Sequence, residues 1–444
     1  NETPPNSVIS GYDAPMLRLG FAGLSLVLFA SCGSDDKASA ADAGFVCEFG
    51  LDFEIGDDGS STPLSAGAGE VRAGRITADD LPDFPFDLGT AAAGDFVLAN
   101  DHFALIIEDA GDSDLYDPWG GRPVGLTVVE NGEMTTASNF GEFYILTEGQ
   151  TIITETVTVL NDGSNGEAAV IRSEGRFGNL PFTTPVLTGL YPGDYSDMRV
   201  AIDYVLEPGS DIVDINITYK SPRQFPEEVA SAIHGFMYTK RMRRFTRERG
   251  FEPTGSLEEL GFIDENGPSY TYSRPGDILE NGIAVSGFAA NLGPAFPIAE
   301  CGETARHHAR LTIGGPGVDG MVQALADIEG SELREITGTV TDANAANAAG
   351  VRVHATLADG TYLSRATTDA NGSYSLHVPA GSAPTLTTYR VGDTNSELTL
   401  TAAESIGDLQ LAPVGFISIT TVDQDSGLAL PVRIQLVPTT QAVP

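Results

Sequence analysis

Six of the chain's 24 basic residues fall within ten positions: Lys240, Arg241, Arg243, Arg244, Arg247 and Arg249. Cations at that density attract carboxylates and phosphates, so the run is a candidate docking surface for an acidic partner or a phosphate-bearing glycolipid. The plainer alternative is a segment that neutralises an acidic face of its own fold. A second cluster has the opposite sign. Asp112, Asp114 and Asp117 set carboxylates along one loop, and hard oxygen donors of this kind hold Ca²⁺. The run lacks the glycine and the glutamate that close an EF-hand loop, and a solvated acidic loop is the plainer account.

Other patterns carry less. Cys301, His307 and His308 are metal-ligand types close in sequence, but adjacent side chains on a strand point to opposite faces, so no zinc site is expected. Gly315, Gly317 and Gly320 spell GxGxxG after a strand-like run. A dinucleotide site also needs a βαβ unit and a following acidic residue on the ribose; β-rich sequence follows instead, so a turn is expected. Trp119, Tyr191 and Tyr195 are candidates to stack on sugars, or are core. No HExxH, GxSxG or P-loop pattern occurs, so no catalytic set and no cofactor beyond Ca²⁺ is expected.

The elements that must position these residues belong to a chain of 444 residues, 41% of them hydrophobic, enough for two or three folded domains. Its net charge is −38, from 62 acidic against 24 basic residues. Such a surface repels phosphate backbones, which argues against nucleic acid as a partner. Met16 and Arg18 open a short leader, and an apolar run from Phe21 to Ala30 leads through Ser31 to Cys32. This is the layout of a secretory signal, and the run is too short for the ~20 residues of a membrane span. Residues 1–15 read as unstructured sequence upstream of the signal at 16–32, and 33–67 as a flexible tether with a first strand region. In an oxidising compartment, Cys47 and Cys301 either form one disulfide or remain two buried thiols.

Small residues ending at Cys32 resemble a bacterial lipoprotein signal, with Phe29 where that family usually has Leu, Val or Ile. The resemblance implies a lipidated Cys32 and attachment to the bilayer at the outer membrane or cell surface. A plainly cleaved signal, giving a periplasmic or secreted protein, is the alternative.

From about Glu70 the sequence reads as strand after strand. Phe96 to Ala99, Ala104 to Ile107, Leu126 to Val129, Phe143 to Leu146 and Thr151 to Leu160 are β-rich runs separated by turn residues. Two more strands lie between Met198 and Lys220, about a turn at Pro208, Gly209 and Ser210. Two segments read as helical: Pro226 to Arg249, and Gly320 to Ile328, where Met321, Val322, Leu325 and Ile328 share a face. The fold class is all-β: a large sandwich or super-sandwich over 68–332 with minor helices, a second sandwich over 335–412, and the start of a further β-domain over 413–444.

The second of these resembles a carboxypeptidase-regulatory-like β-sandwich, of transthyretin type and carbohydrate-binding-like fold. The residues that carry it are Gly338 to Asp342, Gly350 to Val353, and Thr368 to Gly381 with Asp369, Asn371, Gly372 and Tyr374. Asn371-Gly372 is expected to close a hairpin, with Tyr374, Leu376 and Val378 on a buried face. The first domain resembles a mutarotase-type super-sandwich around Tyr204 to Ile217. Gly74 to Pro82, Gly94 to Asp101, Trp119 to Gly121 and 415–438 resemble the N-terminal region of PHP-type metallohydrolases of the CehA/McbA kind. That family's catalytic domain opens on a His-x-His metal motif, which the six histidines do not form. Two functions follow as expectations: surface display or interaction with carbohydrate or a cell-surface protein, or service as the accessory region of a metal-dependent hydrolase.

Overall fold

The computed structural model describes residues 46–433 apart from 83–90, 112, 114–116, 138–139, 182–188, 190–192, 231, 239–242, 248, 252–254, 286–287 and 414–417. The leader, with Cys32, lies outside the described residues. All that follows concerns the unit from Cys47 onward. Strand accounts for 48% of the described residues and helix for 4%, as an all-β fold requires.

Five antiparallel strands form a meander in chain order: Arg72–Arg75, Phe96–Ala99, Phe103–Ile107, Pro123–Glu130 and Glu133–Ala137. The meander lies on a 13-stranded sheet. Its side chains alternate between two buried faces. Phe96, Leu98, Phe103 and Leu105 enter the main core with Val157, Ile171 and Tyr204 of the large sheet. Val97, Ala99, Ala104 and Ile106 face a second core with Leu64 and Ile76. Burial on both faces explains why these strands read as unbroken apolar runs. In the large sheet, Ile212–Ser221 alternates strictly, with Val213, Ile215, Ile217 and Tyr219 inward. It pairs with Arg199–Leu206 on one side and Gly302–Gly314 on the other.

Arg122 joins the two layers. It is 1% exposed, as is to be expected only of a paired charge, and its partner Asp117 is 0% exposed. The guanidinium donates to the Asp117 carboxylate at 2.9 Å, to the Thr151 hydroxyl and Ile152 carbonyl at 2.8 Å, and to Gly120 O at 3.2 Å. Thr151 and Ile152 belong to the large sheet, whereas Arg122 leads into the meander strand at Pro123. Gly120 and Gly121 permit the approach: both have positive φ, and a Cβ on Gly121 would meet the Ser173 hydroxyl at 2.2 Å.

The described residues of the segment Pro226 to Arg249 are not helical. They form strands Glu227–Val229, Ala232–Tyr238 and Arg243–Phe245. Ala232–Tyr238 is hydrogen-bonded on both sides, to Phe140–Thr147 and Phe288–Leu292, so strand pairing overrides the helical reading of this segment. The second helical segment is helix α1, Gly317–Glu329. Val318, Met321 and Leu325 are buried, but Ile328, expected on that face, is 43% exposed. Gly330, in the left-handed conformation, caps it by donating to Ala326 and Asp327 carbonyls. The GxGxxG run is thus the strand-to-helix turn. Its Asp319 accepts from the Ser364 hydroxyl and pairs with His377 Nδ1, each at 2.9 Å, so α1 is fastened to the second sandwich.

That sandwich has a three-stranded sheet (Ser373–Pro379, Leu333–Thr341, Leu409–Gln410) and a four-stranded sheet (Tyr362–Thr367, Arg352–Thr356, Thr385–Tyr389, Glu397–Thr399). Tyr374, Leu376 and Val378 are buried as the alternation requires. The Asn371-Gly372 turn does not close a hairpin. The strand before it pairs with Arg352–Thr356 and the strand after it with Leu333–Thr341, so the turn carries the chain from one sheet to the other. Its backbone bonds, Asp369 N–H to Ser373 O and Gly372 N–H to Asp369 O, are local.

From Cys47 the chain is held against the large sheet. Asp57 bridges Val159, and Lys220 lies 4.4 Å from the Phe53 ring centroid and donates to Asp52 O. Cys47 is disulfide-bonded to Cys301 across 254 positions, with Cα atoms 5.4 Å apart. Two outcomes test this framework by urea denaturation. Arg122→Ala strands a buried carboxylate and is expected to cost about 3–5 kcal/mol. Replacing Cys47 and Cys301 with serine is expected to cost about 2–5 kcal/mol, and peptide mapping without reductant should recover the linked pair.

Candidate functional site

Of the three carboxylates of the acidic loop, Asp117 is the one among the described residues. Asp112 and Asp114 lie outside the described residues. Asp117 turns inward to Arg122 and also accepts from the Thr151 hydroxyl at 2.6 Å, so its oxygens are engaged by the core rather than offered to a Ca²⁺ ion. Its backbone N–H donates to Glu142. Beside it, burial pushes the Glu108 carboxyl up to about 7, with Asp95 and Asp117 adding to the rise and a Ser113 hydrogen bond opposing it. Asp95 is raised in the same direction, first by burial. Among the described residues no group of three or more His, Cys, Asp or Glu is disposed to hold a metal ion.

His307 and His308 point to opposite faces of their strand. His307 Nε2 meets Asp214 at 2.7 Å, and His308 is 1% exposed. Tyr195 is a core residue, its ring 6.0 Å from Phe177, and Trp119 is half-buried next to Asp117. Tyr191, Lys240 and Arg241 lie outside the described residues.

The described part of the basic run divides. Arg247 turns towards acids: Nε donates to Glu259 at 2.8 Å and Nη1 to Glu329 at 2.5 Å. This is the internally neutralised behaviour. Burial raises the Glu259 carboxyl and Arg247 opposes the shift. Arg243 turns instead to the Phe251 ring, 4.8 Å from its centroid. Arg244 has one buried nitrogen, Nη1, without a hydrogen-bond partner. Arg249 also lines the cleft described next.

The Arg247 ion triad forms a wall of a cleft of about 580 Å³, bounded by α1, the turn at Thr246, and Tyr362 and Leu363 of the second sandwich. A further space of about 530 Å³ shares Arg247, Glu259 and Glu329 and extends to Arg274, Asp277 and Arg310. Ile278 and Ile328, 45% and 43% exposed, line this second space. The combination is fixed hydrogen-bonding groups beside accessible aliphatic surface, at a volume within the ~300–1,000 Å³ usual for small-molecule sites. The sequence pointed to Arg247 through its charge run. It gave no signal for Glu259 or Glu329 among 62 acidic residues, because their convergence depends on how α1 docks.

No protein-family model and no curated protein matches this chain. Solved structures show distant similarity. A TPR-domain containing protein from Parabacteroides distasonis aligns with TM-score 0.31 and 9% identity over 58% of this chain and 53% of that one. The Slr1438 protein from Synechocystis aligns with TM-score 0.30 and 10% identity over 52% of this chain and 99% of that one. GH36 α-galactosidase AgaA from Geobacillus stearothermophilus aligns with TM-score 0.28 and 10% identity over 58% of this chain and 45% of that one. The chain thus spans about half the length of the first and under half of the third.

Glu108 makes a pH prediction. Its folded value of about 7 lies above its ordinary 4.5, so the folded state holds the proton more tightly. The stabilising contribution is full below about pH 4.5 and is lost as pH rises through 7. Urea midpoints across that window should fall less steeply with pH in Glu108→Gln than in the parent chain.

Proposed function

We propose that the chain is an exported binding and display segment whose ligand is a saccharide held in the cleft around Arg247. The supporting observation is the pairing of the Arg247–Glu259–Glu329 triad with the accessible side chains of Ile278 and Ile328. Sugar rings present hydroxyls at their edges and C–H groups on their faces. Fixed guanidinium and carboxylate groups take the first, and aliphatic side chains cover the second. In this reading Cys32 carries the lipid and the protein is displayed on the cell surface.

A second reading, an accessory region of a PHP-type hydrolase, draws on residues 418–433. There Thr421 and Leu430 are hydrogen-bonded across a turn at Asp423, while Ile419, Val422, Leu428 and Leu430 are 43–69% exposed. Such a hairpin needs another β-layer to bury its apolar side chains.

The test of the first reading is a glycan array probed with the full chain, followed by titration of whatever binds. Arg247→Ala should weaken the selected glycan roughly tenfold or more, the usual scale for losing hydrogen bonds to a charged group. An array without signal, or a glycan indifferent to Arg247→Ala and Glu329→Gln, would overturn it.

A further inference from the structure

The four-stranded sheet of the second sandwich has one apolar face and one cationic face. Val353, Ala355 and Leu386 enter the sandwich core. Arg352 and His354 alternate with them onto the opposite face. The register sets Arg365 and Thr387 opposite His354, and Tyr389 opposite Arg352. Arg243 and Phe251 of the preceding domain stand against this face. The Phe251 ring has Arg365 at 4.3 Å and Arg243 at 4.8 Å from its centroid, and it meets Phe245 and Tyr362 edge-on.

The charge balance of this seam is unusual for so acidic a protein. Arg243, Arg352 and Arg365 converge, and the acid paired with any of them is Glu265, bonded to Arg365. Arg243 and Arg352 have no ion pair or side-chain hydrogen bond among the described residues. Arg365 and His354 are 2% and 0% exposed, yet Arg365 Nη1 and His354 Nε2 have no hydrogen-bond partner among the described residues. His354 Nδ1 is already occupied by the Tyr362 hydroxyl at 2.8 Å. Both buried groups are pushed away from their charged forms, first by burial and then by neighbouring guanidinium groups. Burial and Arg243 pull Arg365 down to about 9, and burial with Arg352 and Arg243 pulls His354 down to about 4. Glu265 and cation–π contacts to one ring do not balance three guanidinium charges, nor do they satisfy the buried donors.

We propose that this seam is a binding site for a small oxyanion, a carboxylate or phosphate group carried by a small molecule, received by Arg243 and Arg352 with the unpartnered nitrogens of Arg365 and His354 behind them. Guanidinium forks match the planar pair of oxygens such groups present. The anion would supply the countercharge that the seam lacks. The site is separate from the Arg247 triad, whose charges are already paired.

The full chain is titrated calorimetrically at low salt with inorganic phosphate, with D-galacturonate, and with neutral D-galactose. Saturable heat is expected for phosphate, for galacturonate or for both, and whichever binds identifies the source of the oxyanion. Galactose should give none at this site. Arg352→Gln and, separately, Arg243→Gln should each weaken the anion roughly tenfold or more. Both side chains are partly exposed, and removing a like charge should leave the unliganded melting temperature unchanged or higher. Arg247→Ala should leave anion binding unchanged, so failure here and failure of the saccharide reading are distinguishable. No saturable heat with either anion, or heat that persists unchanged in both arginine variants, overturns the proposal.

Discussion

Arg122 carries a full charge into the core between the meander and the large sheet, where only a matched set of acceptors makes it tolerable. Asp117 supplies the countercharge, Thr151 and Ile152 supply oxygens from the large sheet, and Gly120 supplies one from the Arg122 loop itself. Each acceptor constrains a different element. The loop before Pro123 must turn through two left-handed glycines. The large sheet must present Thr151 at one register, and the meander strand Pro123–Glu130 must begin where Arg122 reaches both. The Tyr204 hydroxyl donates to Gly121 O from the far side of the same knot. The sheets are therefore not free to slide over one another as two greasy layers could. Burial of Phe96, Leu98 and Leu105 supplies most of the adhesion, and the ion pair sets the alignment.

Much of the architecture was readable from side-chain alternation. Ile212–Ser221 alternates without a fault, and Tyr374, Leu376 and Val378 fall where a period of two places them. The meander strands were readable as apolar runs because both of their faces are covered. The misreadings share a cause. Residues 226–249 begin with acids and continue with arginines, good helix formers that carry little periodicity. Their strand state is imposed by neighbours far away in sequence, such as Phe262 and Ile263 paired with Arg244 and Arg243. Asn371-Gly372 has the chemistry of a tight turn and makes one. Which strands that turn joins is decided by sheet pairing, which the dipeptide does not encode.

The candidate sites were less legible than the fold for the same reason. A run of like charges was visible, but its meaning depends on what each member faces. Arg247 meets two carboxylates; Arg243, four positions earlier, meets an aromatic ring and other arginines. Arg352 was within reach of sequence reasoning. It stands between Val351 and Val353, both buried, so alternation places it on the outer face. That this face lies against another layer, and against Arg243, follows from the docking of α1 through Asp319 and from the contacts of Phe251 and Glu265 with Arg365.

The Cys47–Cys301 bond also determines how the molecule bears load. Tension applied to the chain just ahead of Cys47 would pass through the sulfurs into the beginning of Gly302–Gly314, then through α1 to the second sandwich. Residues 48–300 lie outside that covalent path. The large sheet would hang beside the line of force like a closed loop on a rope, folded and unstretched, until the bond is reduced. Reduction would insert those residues into the line and let the same pull unravel the sheet from its Cys47 end. The redox state of one cystine therefore selects between a short, stiff mechanical link and a long, extensible one.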